Sequence, residues 1–278
     1  MPKEARTQRL AANPRSRLGT SSIGTDMETP QRGRHRLSLK NPPIVEAVLG
    51  LYIGRLPESI IDSFRSCTDK LKSLGYSRLD PLTQHEMKLR FDEGVSSLDR
   101  EDSPHGLRFT GEDGIHVVQF NRDSFVFSRL GHYESWEQFR NEARKVWEIY
   151  SLAAANPQVN RIGVRYINKL YIPDGAAVDD YVLVLPKIPG AFSPAIQQMF
   201  MRLVLPIEDS RGQLIHTQML MPVERQGFVT LLFDNDFQFP TVEMTNDHVW
   251  ELLEEVRDLK DAYFEDFTTP KLRELFNA

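Results

Sequence analysis

The chain has 278 residues, 40% of them hydrophobic and 26% charged, and a formal net charge of −5. That is the composition of a globular protein able to bury a core, in one large domain or two ordinary ones. Its apolar runs, such as 182–185 and 203–205, are far too short to cross a bilayer, and its single Cys67 excludes an internal disulfide or a cysteine-based zinc site.

The charge is uneven. Residues 1–40 carry nine Lys/Arg against Glu4, Asp26 and Glu28, a net of about +6, so the remainder nets about −11. The first segment is poor in large apolar residues and rich in Ser, Thr, Gly and Pro, which reads as a disordered basic tail. Such a tail can contact nucleic acid through phosphates, or be a dispensable leader with Met27 as an alternative start. No apolar stretch follows the basic start, so no signal peptide is expected, and the lone thiol suits a reducing cytoplasm.

Order is expected from Asn41-Pro42-Pro43, with a strand over 44–53 rich in Val, Leu, Ile and Tyr. Apolar residues at helical spacing (Ile60, Ile61, Phe64, Cys67, Leu71, Leu74), between Pro57 and Gly75, predict a helix over 57–74. A strand over 84–91 follows. Residues 92–105, polar and acidic, are expected to loop out. Three further strands, 107–110, 115–120 and 125–130, are separated by the turn sequences Gly111-Glu112-Asp113-Gly114 and Asn121-Arg122-Asp123-Ser124. Ser135 and Gln138 form a capping-box pattern ahead of a helix bearing Trp136, Phe139, Ala143, Val146, Trp147 and Tyr150 on one face.

The second half has a similar order. A long strand over 159–172 leads to a short helix or strand at 181–185. Strands over 198–205, 213–221 and 227–234 follow, and a closing helix spans 246–264. The fold class is therefore α+β: one unit over 41–278 made of two pseudo-repeated halves, about 41–155 and 156–278. Their antiparallel strands share one curved sheet, with the long helices packed on one face.

The 159–172 strand holds the main functional candidates. Alternation puts Ile162, Val164, Tyr166 and Leu170 on one face and Arg161, Arg165 and Lys169 on the other, the cations ~13 Å apart at ~3.3 Å per residue. They form either an anion-binding face, joined by Arg202, or a solvent-facing row paired with acids on neighbouring strands. Asp234-Asn235-Asp236 follows an apolar strand. Asp234 and Asp236 are weak metal candidates, for carboxylates at a strand end can hold Mg²⁺, but the triplet equally suits a turn.

No catalytic signature is present. His85-Glu86 lacks the second histidine of a zinc-protease helix, Gly111–Gly114 lacks the phosphate-loop ending, and there is no nucleophile elbow. No cofactor is implied.

Several segments resemble a sporadically distributed family of bacterial proteins without established activity: PPIVEAV at 42–48, FSRLGHYESW at 127–136, RIGVRYIN at 161–168 and LKDAYFEDFTTPKLRELF at 259–276. The resemblance covers about 41–278, and its patchy occurrence suggests mobile or defence-associated genes. The leading expectation is a non-enzymatic cytoplasmic binding protein whose acidic body faces a basic protein partner, such as a nucleic-acid-acting toxin or effector. The alternative is an enzyme or sensor taking a nucleotide or other phosphorylated ligand on the cationic face. Nucleic acid is expected only through the basic tail, and no membrane.

Overall fold

The computed structural model describes residues 37, 39–92, 95–187, 196–207, 211–241 and 244–277, with backbone alone over 86–101. The basic segment 1–40 lies almost wholly outside them, although its Leu37 and Leu39 pack against the core. Nine strands form one antiparallel sheet: β1 (Ile44–Ile53), β2 (Arg78–Asp92), β3 (Val95–Thr110), β4 (His116–Asn121), β5 (Ser124–Leu130), β6 (Val159–Pro173), β7 (Phe200–Ile207), β8 (Gly212–Leu220) and β9 (Phe228–Pro240). Their spatial order is β2-β3-β4-β5-β1-β6-β9-β8-β7. Two short helices, α1 (Ile60–Ser66) and α2 (Thr68–Lys72), follow β1. The long helices are α3 (Trp136–Ala153) and α4 (Asn246–Phe267), and α5 (Pro270–Glu274) follows α4. The architecture is α+β.

At the centre β1 pairs with β6, setting Ala47, Leu49 and Leu51 beside Tyr166, Val164 and Ile162. Beyond β6, Phe237 and Phe239 of β9 continue the same row, and beyond β1 so do Phe125 and Phe127 of β5. These residues are buried, as alternation on a half-covered sheet requires. Phe125 meets Trp147 of α3 at 5.5 Å between ring centroids and Phe127 meets Phe139 at 5.3 Å. On the other flank Phe237 meets Tyr263 of α4 at 5.7 Å, and Phe233 meets Phe264 at 5.9 Å.

Local chemistry sets the helix limits. Ser135 caps α3 by accepting a hydrogen bond from the Gln138 amide at 3.2 Å, and Thr245 does the same for α4 from His248. The helix expected over 57–74 is broken at Cys67. There Ser66 Oγ donates to the Ser63 carbonyl at 2.7 Å and Thr68 Oγ1 to the Arg65 carbonyl at 2.6 Å, so side chains compete for the helix acceptors. Cys67 itself donates weakly to Ser63 O at 3.4 Å.

Other expectations need correcting. Residues 95–105 do not loop out: β3 pairs with β2 along its length, but with β4 only over Gly106–Thr110. The remaining two-stranded ribbon lies beyond β4, and pairing through the backbone asks for no apolar alternation. The 181–185 element is instead a 3₁₀ turn at Val178–Asp180 followed by a single bridge from Val182 to Thr268. Strand β9 runs six residues past its expected end, so Asp234-Asn235-Asp236 lies inside a strand and not in a turn.

Candidate functional site

The cation row lies on the open face of the sheet, where each member has its own local surroundings. Arg165 makes a bidentate pair with Asp234, Nε to Oδ1 at 2.9 Å and Nη2 to Oδ2 at 2.7 Å. Asp234 is buried and Arg165 half-exposed. Lys169 Nζ reaches both carboxylate oxygens of Glu224 at 2.8 Å, and this pairing raises the lysine and lowers the glutamate. Arg161 lies 3.5 Å over the ring of Tyr52. That ring covers two facing glycines: a Cβ on Gly50 would come within 2.8 Å of it, and one on Gly163 within 3.4 Å. Arg202 on β7 is exposed and outside these pairs.

Asp234 and Asp236 do not converge on a shared ion position. Asp234 is taken by Arg165, and Asp236 accepts from Gln238 Nε2 at 2.7 Å. Burial pushes the Asp236 carboxyl up, against the opposing pull of Gln238 and Arg165. Among the described residues no group of three or more His, Cys, Asp or Glu side chains is placed to hold a metal, and no helix is long and apolar enough to cross a membrane.

The opposite face holds a different arrangement. A partly open cavity of about 280 Å³ lies against β6, between the start of α3 and the middle of α4. Its volume is just under the ~300–1,000 Å³ of typical small-molecule pockets. The sheet contributes Tyr166 and Asn168 from β6 and Asn235 from β9. Helix α4 contributes Arg257, Lys260, Asp261 and Phe264, and Tyr133 precedes α3. Leu37, Leu39, Pro42, Pro43 and Ile44 supply an apolar wall. The chain is held there by Asn41 N donating to the Phe276 carbonyl at 2.9 Å and Lys169 N to the Pro43 carbonyl at 3.0 Å.

The cavity's cations are engaged. Arg257 is buried and bonds to Asp258 at 2.8 Å, Glu254 at 3.3 Å and Glu137 at 3.4 Å. Burial alone would lower its basicity, but the three carboxylates outweigh that and raise it. Lys260 pairs with buried Asp261 at 2.6 Å and sits 5.0 Å over the Tyr166 ring. Glu254 also accepts from Trp136 Nε1 at 2.9 Å and Arg140 Nη1 at 2.5 Å, tying α3 to α4.

Tyr133 and Tyr166 meet edge to face at 5.8 Å, 6% and 1% exposed, with their hydroxyls sealed from solvent and engaged with each other. Burial raises both phenols far above their ordinary range; the hydrogen bond between them holds Tyr133 down somewhat and pushes Tyr166 further up, and nearby Asp261 adds to each, so both stay protonated.

None of the cavity's polar residues belongs to the cation row. They come from separated segments, but α4 carries a readable signal. Arg257 and Asp261 stand on the stripe that includes Leu253, Val256 and Phe264, where two charges among apolar residues mark something other than a plain core.

No family model matches the chain, and no curated protein matches it. Among solved structures, the crystal structure of DynU16, a protein in the dynemicin biosynthetic locus, aligns at TM-score 0.20 and 9% identity, over 78% of this chain and 95% of that chain. That likeness carries no argument about fold or function.

Proposed function

We propose that this chain acts by binding, and that its ligand is a small molecule held in the cavity between α3 and α4. One observation carries this: a partly open cavity of about 280 Å³ joins an apolar wall to polar side chains of β6, β9 and α4. The similar element order of 44–153 and 159–267, a strand, a short helical segment, a meander of four strands in one half and three in the other, and a long helix, with β1 and β6 paired at the centre, supports reading the halves as a pseudo-repeat with α3 and α4 as one helical layer. The cavity then lies at the junction of the halves, where Tyr133 of one meets Tyr166 of the other.

The test is native mass spectrometry of the chain purified from its own source, beside an Ile44→Phe variant that fills the cavity from β1. A small-molecule adduct on the unaltered chain, lost in the variant at similar melting temperature, is the expected result. An unaltered chain that carries no adduct and shows no thermal shift across a small-molecule library would count against the reading.

A macromolecular partner on the open face is a second reading. Phe200 and Val204 of β7 are 67% and 57% exposed, beside half-buried Met219, Ile215 and Leu232. This apolar strip supports a protein partner, such as a nucleic-acid-acting toxin or effector. A nucleotide or other phosphorylated ligand on the cation row has less support, because Arg165 and Lys169 already hold carboxylates.

A further inference from the structure

Resting on the cavity reading, we infer that the ligand is an uncharged, largely apolar molecule carrying a cis-amide edge, as in a lactam. Its N–H donor sits beside a carbonyl acceptor, and the pair meets Asn168 of β6 and Asn235 of β9. Both asparagines line the cavity and are buried, 3% and 1% exposed. Tyr166 aligns with Asn235 and Asn168 with Phe233, so the two amides are diagonal neighbours on the helix-covered face.

Each amide is held at one end and open at the other. Asn168 Nδ2 donates to the Phe233 carbonyl at 3.0 Å and the Tyr166 carbonyl at 3.3 Å, which spends both its protons and leaves Oδ1 to accept. Asn235 is turned the opposite way. Gln218 Nε2 donates to the Val184 carbonyl at 2.9 Å and to His216 Nε2 at 2.8 Å. The His216 proton therefore sits on Nδ1 and goes to Asn235 Oδ1 at 2.7 Å, which leaves Asn235 Nδ2 free to donate. Neither Asn168 Oδ1 nor Asn235 Nδ2 has a partner among the described residues, and neither is sealed as the tyrosine hydroxyls are. The charged lining is spent within the protein: Arg257 on Glu137, Lys260 on Asp261 and Glu134 on Arg129. A charged ligand would have to break one of these pairs before gaining one. A neutral group with donor and acceptor side by side breaks none. Leu37, Leu39, Pro43, Ile44 and Phe264 suit its hydrocarbon body.

Four bicyclic probes of similar size separate the possibilities, each titrated into the full chain. Oxindole has the whole edge, 1-indanone only the carbonyl, indole only the N–H, and indane neither. The site-specific readout is the side-chain amide resonance of Asn235, followed by nuclear magnetic resonance. The expected result is that oxindole moves this resonance and binds most tightly. 1-Indanone and indole are each expected to bind roughly three- to tenfold more weakly, the net worth of one hydrogen bond, and indane more weakly still. Asn168→Leu should erase the preference for oxindole over 1-indanone while 1-indanone keeps its affinity.

If that variant folds poorly, the ranking of the four probes on the unaltered chain decides. Oxindole ranked first supports the inference, and 1-indanone or indole binding as tightly as oxindole overturns the cis-amide edge. Equal binding of oxindole and indane also overturns it, the asparagines then holding water only, and leaves the cavity reading standing. Bound oxindole that leaves the Asn235 resonance in place binds elsewhere and overturns the inference. No response from any probe overturns it too, and the native mass spectrum then decides separately whether the cavity reading stands.

Discussion

His216 is fully buried, between Phe233 at 4.6 Å and Phe267 at 4.7 Å from its ring centroid. Its Nδ1 lies 2.7 Å from Asn235 Oδ1 and its Nε2 lies 2.8 Å from Gln218 Nε2, which also donates to the Val184 carbonyl at 2.9 Å. Only the neutral ring with its proton on Nδ1 fits both neighbours, and a second proton would set two donors against each other. Burial lowers the pKa, against weaker opposing pulls from Asn235 and Asp234. The sign follows: the unfolded chain takes up this proton near pH ~6.5 and the folded chain only below that. His216 therefore adds stability above about pH 6.5, and the contribution is lost as pH falls toward the folded value, with a slope of at most ~1.4 kcal/mol per pH unit. Urea midpoints measured from pH 8 to pH 5 should fall on the acid side for the unaltered chain and less so for His216→Gln. Parallel profiles would show that the acid loss comes from elsewhere. Because Asn235 lines the cavity, the same proton governs how its amide is held there.

Between elements, the bond from Arg165 to Asp234 crosses from β6 to β9, diagonally to the aligned pair Arg165–Asp236. Removing the guanidinium leaves Asp234 buried without its charged partner, and Arg165→Ala should cost ~1.5–3 kcal/mol, less if water reaches the carboxylate. Adding Asp234→Ala should restore part of that loss in a double-mutant cycle. Additive losses would mean that the pair does not couple the strands. The pairing also shows what was legible. Alternation in 159–172 gave the faces of β6 correctly, because burial on one side fixes the period. It does not choose between an anion site and an internal pair, because the apolar alternation of β9 fades at Asp234 and the triplet Asp234-Asn235-Asp236 has turn chemistry. The strand expected over 84–91 lies within β2, but its partner over 95–105 has no apolar alternation to mark it as a strand. Tyr133 and Tyr166 are 33 positions apart on different elements, and only the register of the sheet brings them together.

For the molecule as a whole, one continuous cluster of buried side chains runs from Ala47 to Leu272 and includes residues of every strand except β2, whose Leu79 packs against it, and of both long helices. With β1 and β6 paired along most of their length and Glu254 bonded to both α3 and α4, neither half has a separate interior. Thermal unfolding followed by tryptophan fluorescence and by far-ultraviolet dichroism should give coincident single transitions. Two resolved steps would show that the halves melt independently.

The cavity wall joins residues 37–44 to Arg257–Phe264, and the seam is closed by Lys40 N donating to Asn277 Oδ1 across 237 positions of sequence. During synthesis the ribosome therefore delivers the first part of the site long before the last. A nascent chain halted after β9 could hydrogen-bond all nine strands while the cavity still lacked its α4 wall, so the enclosure closes only with the final helices.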